Sequence, residues 1–416
     1  MELFHLFSAI LVISAFFAYI NQKFIRLPSA IALLLAGLLI SLLVQGWGAV
    51  SPKFELMVEA KLRGIDFSEI LLEFMLSFLL FAGALHTDLE KLSKSKWSIM
   101  IFATVGVAIS TALTGTAFYF LLQIVGQPID YIYCLLFGAL ISPTDPIAVL
   151  GILKKANIPK QLEVSITGES LFNDGVGVVV FISLFQIAQQ GLANIEGSFI
   201  AELFLLEVGG GIVLGLLIGY IAYFFMKRID HYQTEVLISL AVVTGGYSIA
   251  QIFHFSGPLA MVAAGLLIGN QGTKLAMSEQ TADYLTKFWE MVDEIFNAVL
   301  FVLIGLELLL VPFRWEYVIV GLITTVIVLV VRYIALAVPS YTLRLNRAFT
   351  PGTLPIMTWG GLRGGISIAL ALSLTPDMHR DLIVAITYAV VLLSLLVQGL
   401  TIEPLIRRLS RKKVTV

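Results

Sequence analysis

The chain has 416 residues, of which 58% are hydrophobic and only 13% charged, with a formal net charge of −2. A soluble domain of this length carries about twice that charged fraction, so composition points to a membrane protein. No basic block interleaved with aromatics is present, which excludes nucleic acid as a partner; the single cysteine, Cys134, excludes an internal disulfide and reads as a packing residue.

A spanning helix needs about 20 mostly apolar residues. Thirteen such runs follow in chain order: 3–20, 28–44, 67–85, 97–125, 131–152, 163–190, 199–226, 235–254, 257–272, 287–311, 315–340, 354–375 and 379–405. The first lacks a basic leader and an Ala-x-Ala cleavage site, so it reads as a retained helix. The ninth is short and begins at Gly257-Pro258. The basic residues test the count. Loops after odd-numbered runs, with the C-terminal tail, hold 19 of the 26 Lys and Arg; the other side holds Lys53, Lys61, Arg63, Arg314 and Arg380, and Arg332 and Arg363 fall inside runs. By the positive-inside rule the N-terminus is outside and the C-terminus cytoplasmic. The predicted fold class is an all-α polytopic membrane protein with about 13 transmembrane helices over residues 1–406. Residues 407–416, rich in Arg and Lys, read as a short cytoplasmic tail that anchors the topology, and no soluble domain is expected.

The fifth run is interrupted by Ser142-Pro143-Thr144-Asp145-Pro146. Proline has no N–H, so Pro143 leaves the carbonyl of Ala139 without its helical partner, and Pro146 does the same to Ser142. The residues before them, Ser142 and Asp145, are turned away from helical angles. Unwound backbone beside a carboxylate is therefore predicted, and at membrane depth it survives only when buried in protein or lining a wet cavity.

The sixth run carries Gly168-Glu169-Ser170-Leu171-Phe172-Asn173-Asp174-Gly175 ahead of an almost wholly apolar stretch to Phe185. An ionisable group there costs on the order of 2.5–3.5 kcal/mol by insertion scales and marks function by default. Ser170 and Asp174 are four residues apart on one helical face; Glu169 and Asn173 form a second pair about 100° further round. An aspartate beside an oxygen donor in a dry site suits a small cation or a proton. That is the chemistry of ion-coupled transport.

The twelfth run has its own break, Gly360-Gly361-Leu362-Arg363-Gly364-Gly365, around a buried arginine. Each broken run is the fifth of a six-helix half, one to six and eight to thirteen, with a seventh run containing Gly209-Gly210-Gly211 and Gly215 between them. The halves begin on opposite sides of the membrane, giving two inverted six-helix repeats in topology. Matching breaks in two halves point to a transporter site.

These three motifs, in this order, together with Phe288-Trp289-Glu290 through Leu306-Glu307-Leu308, resemble the sodium/proton antiporters of the bacterial NhaP and animal NHE kind over nearly the whole chain. The long cytoplasmic regulatory domain of the large animal members has no counterpart. The resemblance implies an NhaA-type fold with crossed broken helices five and twelve. Core helices would occupy about 97–190 and 315–405, and dimerisation helices about 3–85 and 199–311, in a homodimer within the lipid of the cell membrane. It implies that Asp174 binds the ion and the proton, with Ser170 and the backbone carbonyl of Thr144 as further oxygen ligands. Asp145 would act through a water or long-range charge, and Glu73 would be a peripheral carboxylate. It also pairs Arg332 with Glu169, beside Asn173, as a structural clasp. The physical case agrees, because Arg332 lies in an apolar run and needs a counter-ion. Arg363 either balances the carbonyl ends of broken half-helices or offsets the local carboxylates.

Glu202, Glu207, Glu290, Asp293 and Glu294 read as funnel-lining or solvated groups near helix ends, and Asp293 and Glu294 are placed to draw cations in from the cytoplasm. His254 reads as a packing histidine near the membrane surface, with pH sensing as its alternative. The expected function is secondary antiport of Na⁺ (and Li⁺) for H⁺, without enzyme activity or a cofactor beyond the transported ions. One carboxylate cannot hold a proton and a cation together, which couples the fluxes, and rigid-body movement of the core gives alternating access. An asparagine at position 173 leaves one titrating group, which within the resemblance implies electroneutral 1:1 exchange. K⁺/H⁺ exchange is the alternative within transport. A channel would want a repeated pore loop or symmetric filter, and neither appears. Asp145 and Asp174 formally satisfy an intramembrane aspartyl protease, but the proline context and Arg332 argue against it.

Overall fold

The computed structural model describes residues 2–48, 50–64, 66–146, 149, 153, 160–191, 197–311, 314–342 and 352–411. Every regular element among them is helical. Helices α1 (Glu2–Ile20) and α2 (Ser29–Gly48) are followed by a short, charged α3 (Pro52–Arg63) and by α4 (Phe67–Leu85). Asp88 then caps α5 (Leu89–Lys94), accepting from the N–H groups of Glu90 and Lys91 at 3.0 and 3.3 Å. Next come α6 (Lys96–Val125), α7 (Tyr131–Ile141), α8 (Lys160–Gln190), α9 (Gly197–Met226) and α10 (Tyr232–Ile252). The chain continues through α11 (Gly257–Leu267), α12 (Glu279–Glu307), α13 (Trp315–Thr342), α14 (Thr353–Trp359), α15 (Gly365–Leu372), α16 (Arg380–Leu393) and α17 (Gly399–Arg411).

Among the described residues nine helices are long and apolar enough to cross a membrane: α1, α2, α4, α6, α8, α9, α10, α13 and the continuous α16–α17. The other four predicted runs fail that test for identifiable reasons. Helix α7 stops at Ile141 before the first proline, α11 is 11 residues long before a π turn at Ile268–Gly272, and α14 and α15 are separated by their glycines. Helix α12 is 29 residues long, but Glu279, Asp283, Lys287, Glu290, Asp293 and Glu294 fall along it from its N-terminus to just past its middle. Lys154, Lys155, Arg344, Arg347, Lys412 and Lys413, which entered the charge count, lie outside the described residues, as does the side chain of Glu202.

Lipid tails are as apolar as leucine, so helices in a bilayer associate through close packing, and small residues let backbones approach. A Cβ at Gly305 of α12 would come within 2.6 Å of the Gly37 Cα in α2, and one at Gly115 of α6 within 2.9 Å of the Cys134 carbonyl in α7. The glycines of α9 serve the same end, with Gly211 against the carbonyl of Ser256 at the start of α11. Larger side chains fill the spaces between. Trp289 is fully buried, lies 4.6 Å from the ring of Phe81, and donates its indole N–H to Ser239 at 3.0 Å.

Candidate functional site

The two interrupted helices meet. At the end of α7 the carbonyl of Ala139 is taken by the N–H of Ser142 at 3.2 Å, a tighter turn replacing the bond that Pro143 cannot make. The Ser142 and Pro143 carbonyls receive Nη1 of Arg363 at 2.5 and 3.0 Å. Arg363 is 2% exposed, so a buried cation sits on the carbonyl end of α7, where the helix dipole is negative. The charge of Glu169 reaches Arg363 as well, so both of its predicted roles, balancing carbonyls and offsetting carboxylates, have a counterpart in the geometry. Beyond it, the N–H of Asp145 donates to the carbonyl of Leu362 at 2.8 Å, an isolated antiparallel bridge between the breaks.

Gly364 is needed for this crossing. A Cβ there would fall 2.5 Å from Oδ2 and 2.6 Å from Cβ of Asp145. A π turn in the last helical segment braces the second break from behind. Ser394 within it accepts the N–H of Arg363 at 3.1 Å and donates to Gln398 at 2.5 Å, and Gln398 reaches the Trp359 carbonyl at 3.2 Å. Nothing in the sequence pattern around Ser394 announced that role, because π turns have no residue signature comparable to proline or glycine.

Helix α8 presses on the first break with both predicted pairs. Asn173 accepts the N–H of Thr144 at 3.3 Å and donates to the Thr144 hydroxyl at 2.9 Å and to Glu169 at 3.4 Å. Ser170 donates its hydroxyl to the Thr144 carbonyl. Glu169 and Arg332 form a two-pronged ion pair at 2.5 and 2.8 Å, both side chains buried. Gly361 lies against this guanidinium, a Cβ there falling 2.8 Å from Nε of Arg332. Helical spacing thus gives Glu169 to Arg332, while Asn173 and Ser170, one from each pair, both reach the unwound segment at Thr144.

Asp174 is 9% exposed, and Asp145 and Glu169 are the carboxylates whose charge reaches it. Among the described residues no hydrogen-bond donor holds its carboxylate. The negative charge of Glu169 is matched by Arg332; that of Asp174 has no such partner among the described residues. A dry carboxylate beside the Ser170 hydroxyl and the Thr144 carbonyl can take a proton or a small cation.

A cavity of about 1520 Å³ approaches this cluster along α8. Glu163 and Thr167 line it, and Thr167 is seven residues, about 10 Å of helix, before Asp174. Asp88, Glu163, Glu290, Asp293 and Glu294 outnumber Arg26 and Lys91 on its walls, so its field favours cations. The Lys91 ammonium is 2.7 Å from Asp88, and this partner holds the Asp88 carboxyl below its ordinary range. His86 also lines the cavity, 3.8 Å from Glu290. Sequence reasoning passed over Glu163 and His86, which come to the wall only through tertiary packing.

Three predicted residues are found elsewhere. Glu73 is exposed, on a π turn of α4 whose Leu72 carbonyl accepts the Tyr247 hydroxyl at 2.6 Å, and no hydrogen bond or ion pair among the described residues joins it to Thr144 or Asp174. His254 is exposed with a positive φ of 55°, a turn residue ending α10 and not a packing one. Glu207, read as solvated or funnel-lining, is buried in mid-α9 beside the start of α11, its carbonyl accepting the N–H of Ser256 at 3.0 Å.

The family model described as "Sodium/hydrogen exchanger, transmembrane" matches residues 12–408. The chain belongs to the sodium/hydrogen exchanger family. It is 50% identical over 409 residues to the Na(+)/H(+) antiporter NhaP of Pseudomonas aeruginosa, covering 97% of this chain and 96% of the relative. It is 37% identical to the Na(+)/H(+) antiporter NhaH of Halobacillus dabanensis, over 93% of each. The solved structure of the sodium proton antiporter MjNhaP1 from Methanocaldococcus jannaschii at pH 8 shares the fold, with a TM-score of 0.77 and 19% identity over 98% of this chain and 99% of that one. This exchanger is therefore a multi-pass transporter and not an enzyme.

Proposed function

We propose that the chain exchanges Na⁺ (and Li⁺) for H⁺ with 1:1 stoichiometry and no net charge movement, the proton and the cation competing for Asp174. The observation that carries this reading is the contrast within α8: Glu169 is neutralised by Arg332, and Asp174 beside it has no cationic partner among the described residues. The Na(+)/H(+) antiporter names of relatives at 50% and 37% identity support the ion pair chosen. In this reading Ser170 and the Thr144 carbonyl, now bonded to each other, both turn oxygens toward an entering cation. Asp145 adds negative charge from the opposite side, and Glu73 joins the site in another conformation. Glu169, Asn173 and Arg332 hold the unwound strand in place, and Arg363 compensates its carbonyls.

Alternating access then follows from movement of the core helices, about 97–190 and 315–405, against the dimerisation helices, about 3–85 and 199–311. Thirteen spans in two inverted six-helix repeats, with the N-terminus outside and the C-terminus in the cytoplasm, fit the distribution of Lys and Arg. The acidic cavity is the cytoplasmic funnel in this topology, and the working unit is a homodimer in the cell membrane. Exchange of K⁺ is the rival reading, because oxygen ligands on unwound backbone do not fix the size of the ion.

The test is ion-driven proton movement in proteoliposomes. Na⁺ and Li⁺ added outside should release an imposed acid load, and K⁺ should not. Release by K⁺ at comparable concentration would replace Na⁺ with K⁺ in this assignment, and release by none of the three would remove the antiport reading.

A further inference from the structure

Helix α4 is attached to elements on both sides of the proposed movement. At its start the buried Ser68 donates its hydroxyl to the Ala369 carbonyl of α15 at 3.0 Å, a bond to the second broken helix. From Phe74 onward α4 is held by the other side. The rings of Phe74 and Phe78 lie 5.7 and 5.1 Å from Phe296 of α12, and Phe81 lies against Trp289. A Cβ at Gly265 of α11 would come 2.7 Å from the Phe81 carbonyl, and Gly269, just beyond α11, packs closely on Leu85. Toward α8 the same end is largely open. Gly83, His86 and Thr87 line the acidic cavity with Glu163 and Thr167, and Gly83 meets Leu171 only at ordinary contact distance.

Between the two attachments the helix changes its winding. Residues Ile70–Met75 form a π turn, and the N–H of Leu76 reaches back five residues to the Leu71 carbonyl. A regular α-helix would give that N–H to Leu72. The Leu72 carbonyl instead accepts the Tyr247 hydroxyl of α10 at 2.6 Å. Tyr247 is buried, and its ring is seated on Gly257 at the start of α11, where a Cβ would fall 2.5 Å from Cε2. The bond therefore comes from a side chain held by the same side as the inner end of α4. π turns are among the few features that kink a helix, and they gather at functional sites.

We propose that α4 bends at this π turn when the core moves, and that Tyr247 is a positioning residue latching the turn in the conformation open to the cytoplasm. The proposal rests on the antiport, topology and core-movement readings above. Without a bend, movement of α15 against α11 and α12 breaks one of the two attachments of α4. With a bend at Ile70–Met75, the first turn of α4 travels with α15 while the rest stays with α11 and α12. Tyr247 holds the Leu72 carbonyl in this conformation and releases it in the other. Glu73 lies within the turn, so the bend also re-aims that carboxylate.

The experiment is pulsed electron paramagnetic resonance on the protein in lipid nanodiscs, with nitroxides on Lys287→Cys of α12 and Arg407→Cys of α17. Both native side chains are exposed, and the single native cysteine, Cys134, is buried and stays unlabelled. The pair spans the two sides of the movement, so its distance distribution gives the ratio of the two conformations. Tyr247→Phe should lower the share of the distance in this structure relative to the other about fivefold, the effect of one neutral hydrogen bond. A tyrosine with a merely structural role would lower the melting temperature and leave that ratio unchanged, and this result would overturn the latch. A π turn holds one residue more than the α-helical span it replaces, so deleting Leu72 should make α4 regular. That variant should show one distance only and no Na⁺-driven proton release above protein-free liposomes. Two distances with wild-type exchange would overturn the bend. If the deletion fails to fold, Tyr247→Phe decides alone. Wild-type exchange that Asp174→Asn abolishes is the separate control: its failure removes the antiport reading, and the distances still judge the bend.

Discussion

The Glu169/Asn173 face of α8 and the Ser170/Asp174 face differ in how completely their polar groups are satisfied. Glu169 gives both oxygens to Arg332, and Asn173 spends its amide on Thr144 and Glu169. On the neighbouring face Ser170 holds one carbonyl, and no donor among the described residues holds Asp174. Both carboxylates are buried in the same helix, five residues apart. Burial alone therefore does not make a charge functional. Saturation by partners suits one to a structural role; in the proposed function the other, without such partners among the described residues, changes its occupant.

The comparison breaks most visibly at Asp174. Asp174→Asn should reduce Na⁺-driven proton release to the level of protein-free liposomes, because an amide cannot trade a proton for a cation. The variant should melt within a few degrees of wild type, roughly the shift expected of a change below 1 kcal/mol. Exchange above background would show that the titrating group lies elsewhere.

Glu169 and Arg332 should show the opposite profile. Removing one partner leaves a buried charge alone, typically costing about 3–5 kcal/mol. Glu169→Gln and Arg332→Gln should each lower the melting temperature sharply, and the double variant should recover part of the loss. Losses that simply add in the double-mutant cycle would mean the two side chains do not interact.

Much of this contrast was legible in the residues. The i, i+4 spacing separates the two faces, and Pro143, Pro146 and the glycines at 360, 361, 364 and 365 mark both breaks. Those signals are local, acting through backbone chemistry of the residues that carry them. The family resemblance, not spacing, joined Arg332 to Glu169 across 163 positions of chain. What stayed hidden depends on tertiary contact. Ser394 and Gln398 support Arg363 through a π turn without a residue signature, and His86 reaches the funnel wall only because α4 packs near α12. Glu207 was misread because a carboxylate near a helix end is usually solvated, whereas here it is buried, with its backbone bonded to Ser256 at the start of α11. His254 was misread for the converse reason: its ring lies outside the packing, at a chain reversal.

Ser170 offers a finer test of the free face. In the proposed site its hydroxyl is one ligand among several, and a neutral hydrogen bond or ligand contact contributes about 0.5–1.5 kcal/mol. Ser170→Ala should raise the KM for Na⁺ by about threefold to tenfold with little loss of maximal rate. Thr144→Ala should behave differently. Its carbonyl survives the change, but the hydroxyl that receives Asn173 is lost, so stability should fall more than affinity. Equal effects from the two variants would blur the distinction between ligand and brace.

The smallest expected effect is that of voltage. In the proposed function, with Glu169 neutralised by Arg332, each cycle has one exchangeable negative charge, so one cation would cross for one proton and no net charge would move. Clamping the membrane potential with K⁺ and valinomycin, K⁺ itself not being exchanged, should leave the sodium-driven pH gradient at equilibrium unchanged. An end point that moves in proportion to voltage would refute the 1:1 count. Asn173→Asp carries the comparison between faces to its limit. The new carboxylate would stand where the amide now donates to Glu169 at 3.4 Å, so a bond becomes a repulsion and stability falls. Arg332 is already committed to Glu169 through two bonds, and its Nε has no partner among the described residues, so an N–H donor remains to steady the added charge. Held there, an aspartate at 173 stays with the brace and transport stays insensitive to voltage. Voltage-dependent exchange by this variant would mean instead that position 173 belongs to the transporting face, and that the division between the two faces of α8 depends on a single amide.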